Sequence, residues 1–157
     1  MGLFGQLNTA IFMFAGITTN NIDFSKIDFS YCNNMGSMFE ASTQLTSLNC
    51  SDINVRMCST FDNMFDDCFN LEDIDISSWN MINAYGVNNM FKNCTRLSNA
   101  SLNSILKAFQ TCNLELFISM GNNNTLYAAG LTQEQAQTCT TLSNWNDLAS
   151  LGWTTGY

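Results

Sequence analysis

The side chains best suited to chemistry in this sequence are carboxylates and thiols. The chain has 157 residues, with thirteen acidic residues, seven cysteines and no histidine. Without histidine, the commonest general base and the His-dependent nucleophile pairs are absent. Asp73 and Asp75 would lie about 7 Å apart on one face of a strand, which is a conceivable carboxylate pair for glycoside hydrolysis. A solvated polar face is the simpler interpretation, and we expect a non-enzymatic protein.

The cysteines favour a structural interpretation. Their odd number argues against a complete set of intrachain disulfides, and free cysteine commonly behaves as a small buried apolar residue. Cys68 and Cys94 end two equivalent segments, MFDDC and MFKNC, and stacking of equivalent positions would bring them within range of a disulfide. Metal-ligand spacing of the C-x-x-C type is absent from the sequence. We therefore expect no metal and no cofactor.

The charge balance narrows the classes of partner. The formal net charge is −8 and only 11% of residues are charged, against roughly 25% in a typical domain. Such a chain has no basic surface with which to neutralise phosphates, which argues against nucleic-acid binding. The longest apolar stretch, residues 3–17, is interrupted by polar residues and too short to span a bilayer. It also lacks the pattern of a secretion signal, so we expect no membrane insertion.

An internal repeat with a constant period organises most of the chain. The repeated positions include Met38-Phe39, Met64-Phe65 and Met90-Phe91, followed by Leu45, Leu71 and Leu97, and the interval is the same at every step. Apolar residues around each Met-Phe pair follow the spacing i, i+3, i+4, i+7 of a short helix or helical turn. The leucines begin an L-x-x-L-x-L pattern, which alternates as a short strand does. One helical turn and one strand in such a unit are typical of a leucine-rich repeat.

Two segments carry a resemblance to a known family. The segments MFDDCFNLEDIDISSWNM (64–81) and MFKNCTRL (90–97) resemble the BspA-like leucine-rich repeat surface proteins, also described as a repeat of unknown function first noted in mycoplasmas. The resemblance covers about residues 12–105, with departures at Ser42 and Ala100. It implies a surface protein for adhesion or recognition, of a kind also found in phage virions, and it transfers no catalytic residue.

The repeat predicts an α/β repeat fold. We expect a short leucine-rich-repeat solenoid with parallel strands on one face and a mixed α+β C-terminal cap. The predicted parts are an apolar N-terminal segment with a degraded repeat (1–21), the repeats (22–102) and the cap (103–157). Within the cap, the pattern predicts a helix from Leu102 to about Cys112 and a strand over 114–120. A capping box at Thr132 predicts a helix to about Cys139, and another helix is expected through Trp145 and Leu148.

Two sets of surface residues are candidates for binding. The exposed strand face forms the binding surface of solenoid proteins, and its predicted ligand-binding residues are Asp23, Asn49, Asp73, Asp75 and Ser101. The apolar start and the aromatic tail are candidate interfaces, represented by Leu3, Phe4, Ile11, Phe12, Phe14, Trp153 and Tyr157. The expected partners are other subunits of an assembly, including further copies of this chain, and a cell-surface glycan or protein.

These observations predict a recognition or adhesion module of a larger assembly. A phage tail or capsid appendage, exposed on the virion and contacting a host surface or neighbouring subunits, is the first hypothesis. A fragment of a bacterial cell-surface adhesin and a purely structural virion protein are the alternatives. A glycan hydrolase that uses Asp73 and Asp75 is a third class.

Overall fold

Turns and irregular backbone, not long helices or strands, make up most of residues 7–97. A computed structural model describes residues 7–157. Its regular elements are a 3-10 helix (Phe24–Lys26), two strands, β1 (Ser47–Asn49) and β2 (Asp73–Asp75), and four α-helices, α1 (Asn99–Phe109), α2 (Leu114–Ser119), α3 (Gln133–Cys139) and α4 (Trp145–Ser150). No helix in the described part is long and apolar enough to cross a bilayer.

The predicted leucine-rich-repeat solenoid is wrong. In residues 7–157, β1 and β2 are the only strands, each has three residues, and they form a two-stranded parallel sheet. A solenoid of this kind requires a continuous parallel sheet along one face, and two strands do not provide it. The protein is a small mixed α/β domain.

The Met-Phe segments form turns whose backbone bonds repeat along the chain. In each turn, alternate N–H groups donate to carbonyl oxygens of the next turn. One such set runs from Met35, Ser37, Phe39 and Ala41 to Thr60, Asp62, Met64 and Asp66, with N···O distances of 2.8–3.0 Å. The same alternation joins residues 10–16 to 34–40 and residues 61–67 to 86–92. Equivalent residues therefore lie side by side even where no strand forms.

Left-handed backbone positions explain why the Met-Phe segments are not helices. Two series recur with the period of the repeat, namely Ser37, Asn63 and Asn89, and Ala41, Asp67 and Asn93, all with φ between 55° and 63°. A right-handed helix cannot continue through a residue with positive φ. The i, i+3, i+4 spacing predicted a helical turn, and the structure has a turn interrupted twice. Asparagine and aspartate tolerate this conformation better than most residues, and Ala41 has no such tolerance.

The core follows the repeat. Phe39 stacks on Phe65 and Phe65 on Phe91, with ring centroids 5.3 and 5.4 Å apart and the planes nearly parallel. Trp79 is buried, and its Nε1 donates to the carbonyl of Cys50. These contacts join successive turns into one apolar core.

The expectation of buried thiols is confirmed. All seven cysteines lie among the described residues, none forms a disulfide, and six are buried. The Cys68 thiol donates to the Phe39 carbonyl, and the Cys94 thiol to the Phe65 carbonyl. The neighbouring Cys68 and burial both raise the pKa of Cys94. The Cys68 and Cys94 thiols are therefore structural hydrogen-bond donors.

The strand that the L-x-x-L-x-L pattern predicts after Leu97 is instead the start of helix α1. The Ser98 side chain accepts from the Ser101 N–H and caps α1. The Ser101 hydroxyl donates to the Glu72 carbonyl at 2.8 Å and accepts from the Ile74 N–H at 2.9 Å. These bonds satisfy backbone groups of Ile74 in β2 and of Glu72 just before it, where another strand would otherwise pair. Helix α1 thus closes the edge of the sheet.

The C-terminal region is helical, not mixed α+β. The strand expected over 114–120 is wrong, because α2 occupies Leu114–Ser119 and the Asn113 side chain caps it. Residues 103–157 contain one isolated bridge, between Thr125 and Thr154, and no strand. The helix that begins after the Thr132 capping box is confirmed, as α3.

Removing the Ser101 hydroxyl tests the closure of the sheet edge. We expect Ser101→Ala to lower the free energy of unfolding by about 1–3 kcal/mol, since the buried Ile74 N–H loses its acceptor. Urea denaturation measures the loss. Ser78→Ala is the matched control, because Ser78 is exposed, and it should change stability by less than about 0.5 kcal/mol. Equal losses in the two variants would contradict this account.

Relief of strain at Ala41 is a second prediction. Its φ of 58° is costly for alanine, and we expect Ala41→Gly to stabilise the protein by up to about 1 kcal/mol after the entropic cost of glycine. Ala100→Gly is the control with the opposite sign, because Ala100 is exposed in α1, and it should destabilise by about 0.5–1 kcal/mol. Thermal unfolding distinguishes the two results, and a destabilised Ala41→Gly variant would refute the strain.

Candidate strand-face groove

A polar groove lies on the exposed face of the two-stranded sheet. Its volume is about 740 Å³, and it is bounded by β1, β2 and the first two turns of α1. We call it the strand-face groove. Asn20 and Asn21 line it on one side and Asn144 on the other. The groove therefore lies where the repeated turns meet the helical C-terminal region.

The strand register fixes the side chains that face this groove. Asn49 pairs with Asp75 across the sheet, while Leu48 pairs with Ile74. Leu48 and Ile74 are buried, and the residues that flank Ile74 in β2, Asp73 and Asp75, are exposed. Burial of alternate residues thus holds the polar side chains on one face. Within the described part of the chain, no aromatic side chain lines the groove.

The predicted ligand-binding residues also have a local structural role. The Asp75 Oδ1 atom accepts from the Ser77 N–H at 2.9 Å, and Asn49 Oδ1 accepts from the Ser51 N–H at 3.0 Å. These Asx turns end the two strands. The turn uses the Oδ1 atom of each side chain. The Asn49 amide nitrogen donates no hydrogen bond within residues 7–157, and the exposed Asp75 carboxylate has a second oxygen that can accept from a ligand.

The electrostatics argue against an acid–base role for Asp75. Hydrogen bonding from the Ser77 side chain and N–H lowers the pKa of Asp75 below its ordinary value. The carboxyl is therefore ionised at neutral pH. A glycosidase general acid needs a raised pKa instead. Asp75 is suited to accepting hydrogen bonds or to facing a positive charge.

Asp73 joins the sheet to the helix. Its Oδ1 accepts from the Ser98 hydroxyl at 3.2 Å, and Ser98 caps α1. Asp73 therefore helps to set the position of α1 beside the groove. In the described part of the chain, no three His, Cys, Asp or Glu residues are grouped so that they could bind a metal ion.

Two of the predicted ligand-binding residues, Ser101 and Asp23, are not exposed on the groove as predicted. Ser101 lines the groove but is 2% exposed, and its hydroxyl bonds to the backbone of Glu72 and Ile74. Asp23 is exposed but lies outside the groove, where its side chain accepts from the Ser25 N–H and caps the 3-10 helix. The structure brings together Asn49, Asp73 and Asp75, with Ser101 as a buried support.

The predicted interface residues at the N-terminus are only partly described. Leu3 and Phe4 lie outside the described residues. Ile11 is 46% exposed and Phe12 57% exposed. Phe14 is half-buried and stacks on Phe39, with ring centroids 5.6 Å apart. Ile11 and Phe12 thus form an exposed apolar surface, while Phe14 belongs partly to the core.

The two aromatic candidates in the tail have different positions. Trp153 is buried in the core against Phe109, with ring centroids 4.8 Å apart, so it is not on a surface that a partner can reach. Tyr157 is exposed, and its hydroxyl donates to the Leu131 carbonyl.

Sequence reasoning missed the side-chain contacts at the ends of the groove. Asn103 Oδ1 accepts from the Asn144 N–H, and the Asn144 amide donates to the Asn103 carbonyl. At the other end, the Asn20 amide nitrogen donates to the Thr46 hydroxyl, and the Asn20 amide oxygen accepts from the Thr46 N–H. Asn103 follows the repeat register one period after Ser77, but Asn144 lies outside that register in an asparagine-rich sequence, so no spacing signal marks the contact between them.

The comparisons with known proteins give one match. A family model described as "Mycoplasma protein of unknown function, DUF285" matches residues 8–132. No curated protein and no solved structure matches the chain. The matched region includes β1, β2, α1 and α2.

The Asx turn at Asp75 predicts a pH dependence. Because the pKa of Asp75 is lowered by folding, its contribution to stability is present above the unfolded pKa and is lost as the pH falls below about 4. In Asp75→Asn the amide oxygen can keep the turn, as Asn49 does, but the side chain no longer titrates. We expect near wild-type stability at pH 7 and a shallower loss of stability in acid.

The matched variants are Asp75→Ala and Asn49→Ala, which both lose the turn bond. Each should be less stable than wild type at pH 7, and Asn49→Ala should keep the full acid dependence. Urea denaturation between pH 2.5 and 7 measures these effects. An Asp75→Asn variant with an unchanged acid dependence would show that the Ser77 bonds do not contribute.

Proposed function

The chain belongs to the family described as Mycoplasma protein of unknown function, DUF285, and from this premise we propose that it is a non-enzymatic recognition or adhesion module. Its ligand-binding surface is the strand-face groove. The observation that carries the proposal is the alignment of Asn49, Asp73 and Asp75 along one exposed face, with polar atoms left over after the turns are formed.

The charge of the groove indicates the chemistry of its partner. Among the described residues, Asp73 and Asp75 are the only charged ones in its lining, and the chain as a whole carries a net charge of −8. Carboxylates are acceptors when ionised. A partner that offers hydrogen-bond donors or a positive charge therefore fits best, such as a cell-surface protein or the hydroxyl groups of a glycan.

The proposed setting is an extracellular surface within a larger assembly. The resemblance to BspA-like surface proteins supports it, and a phage virion or a bacterial cell surface would each suit such a module. Mass spectrometry of purified particles and of envelope fractions distinguishes the two locations. Fixed stoichiometry in particles indicates a virion component, and peptides within a longer envelope polypeptide indicate an adhesin.

A purely structural role is the second candidate, and the exposed apolar residues favour it. Ile11, Phe12 and Met13 are 46%, 57% and 39% exposed in sequence. Consecutive exposed apolar side chains are typical of surfaces that contact another subunit. In this case substitutions in the groove would not impair function, and the role of the chain would be to contact neighbouring subunits.

Charge removal in the groove separates the two functions. We expect the double variant Asp73→Asn/Asp75→Asn to bind cells at least ten-fold more weakly than wild type, because the acceptor charge is lost while Asn can keep the Asx turn. Flow cytometry with the fluorescently labelled protein on a panel of bacterial and animal cells measures the binding. Circular dichroism checks that the fold is kept.

Asp28→Asn is the matched control. Asp28 is exposed and makes the same turn bond, with Ser30, but it lies outside the groove lining. This variant should bind as wild type does. If wild type binds no cell in the panel, or if the groove variant binds equally well, the recognition function of the groove is refuted and the structural role is favoured.

A further inference from the structure

A second cleft lies on a different part of the surface, at the last of the repeated turns. Its volume is about 540 Å³, and it lies between residues 88–93 and residues 127–132, with Tyr157 at its border. We call it the tyrosine cleft. Within residues 7–157, it shares no lining residue with the strand-face groove.

The walls of the tyrosine cleft are held together by backbone contacts. The Asn89 N–H donates to the Ala128 carbonyl at 2.7 Å, and the Phe91 N–H donates to the Ala129 carbonyl at 2.9 Å. Gly130 has a φ of +90°, and a Cβ atom there would lie 2.5 Å from the Lys92 backbone nitrogen. The two walls thus approach as closely as glycine permits. The cleft is formed before any ligand binds.

Two exposed aromatic rings form one side of the cleft. Tyr127 is 60% exposed and Tyr157 is 55% exposed. Their ring centroids are 5.1 Å apart at an interplanar angle of 78°, and the Tyr157 hydroxyl donates to the Leu131 carbonyl at 2.7 Å. The pair is therefore fixed in place while its apolar surface faces water. Fixed tyrosines lose little conformational entropy on binding.

Apart from Ala128, Gly130 and Leu131, the rest of the described lining is polar. The Asn89 and Asn123 side chains are exposed and make no hydrogen bond within residues 7–157, so their amides can both donate and accept. Of the described residues, Lys92 is the only charged one in the lining, and Asp66 neutralises it, with 3.2 Å between Nζ and Oδ2. An apolar ring surface beside free, uncharged amides is the chemistry of this cleft.

We propose that the tyrosine cleft is a binding site for a neutral carbohydrate. A pyranose ring has an apolar face of C–H groups, which packs on an aromatic ring, and hydroxyl groups that bond to amides. The described lining of the strand-face groove has no aromatic residue and carries two carboxylates, so it does not offer this combination. The proposal goes beyond the recognition function of the groove and does not depend on it.

The test begins with binding of the full chain to a printed array of neutral and sialylated oligosaccharides. We expect selective binding of neutral structures, and saturation-transfer NMR with a bound trisaccharide should show contact with its ring protons. Tyr127→Ala removes part of the aromatic surface and should weaken the affinity at least ten-fold. Tyr127→Phe keeps the ring and should retain most of the affinity. Asn89→Asp, which keeps the shape but adds a charge, should weaken it several-fold.

Tyr31→Ala is the matched control, because Tyr31 is 52% exposed and lies outside both sites. It should bind the trisaccharide as wild type does. Absence of binding to any oligosaccharide, or equal binding by Tyr127→Ala, would overturn the proposal. Loss of sugar binding in Asp73→Asn/Asp75→Asn but not in Tyr127→Ala would assign the sugar to the groove instead. Cell binding that persists without sugar binding would refute the cleft and leave the proposed function standing.

Discussion

The structure depends on a backbone contact between successive turns of the repeat. Alternate N–H groups of one turn donate to carbonyls of the next, so the buried backbone is satisfied without long helices or strands. This arrangement needs two left-handed residues in each turn, and asparagine or aspartate occupies four of the six positions at 37, 63, 89, 41, 67 and 93. At these four positions asparagine and aspartate therefore meet a requirement of the backbone.

Such an arrangement must be closed where it ends, and both proposed sites lie at that closure. Helix α1 satisfies the edge of β2 with the Ser101 and Ser104 hydroxyls, and the groove forms beside it. Residues 128 and 129 accept the N–H groups of the last turn, and the tyrosine cleft forms beside them. In both places a side chain or turn from the C-terminal region replaces a repeating unit and leaves a concave surface. Both sites therefore form where the C-terminal region packs against the last repeating unit.

The repeat period, the buried positions and the Thr132 capping box could be predicted, because each follows from local spacing. The solenoid could not be distinguished from the observed fold, because the apolar spacing around Met64 and Phe65 suits a turn with two left-handed residues as well as a helical turn. The strand predicted over 114–120 is a helix, α2, which the Asn113 side chain caps. In the sequence, a single capping residue is a weaker signal than the apolar run that follows it. The position of Asn49, Asp73 and Asp75 on one face could also be predicted. The contact between Asn103 and Asn144 could not be predicted, since it depends on tertiary packing alone.

The side chains of the groove are bound to their own backbone before a partner arrives. Asn49 and Asp75 each hold one oxygen in a turn bond, and Asp73 is held by Ser98. A flexible surface side chain loses about 0.5–1.5 kcal/mol of entropy when an interface immobilises it, and these short, bonded side chains lose less. The bonds that end the strands therefore also reduce the entropy that the side chains lose when a partner binds. A surface of short polar residues is in this respect better suited to binding than one built from lysine and glutamate, which the sequence largely lacks.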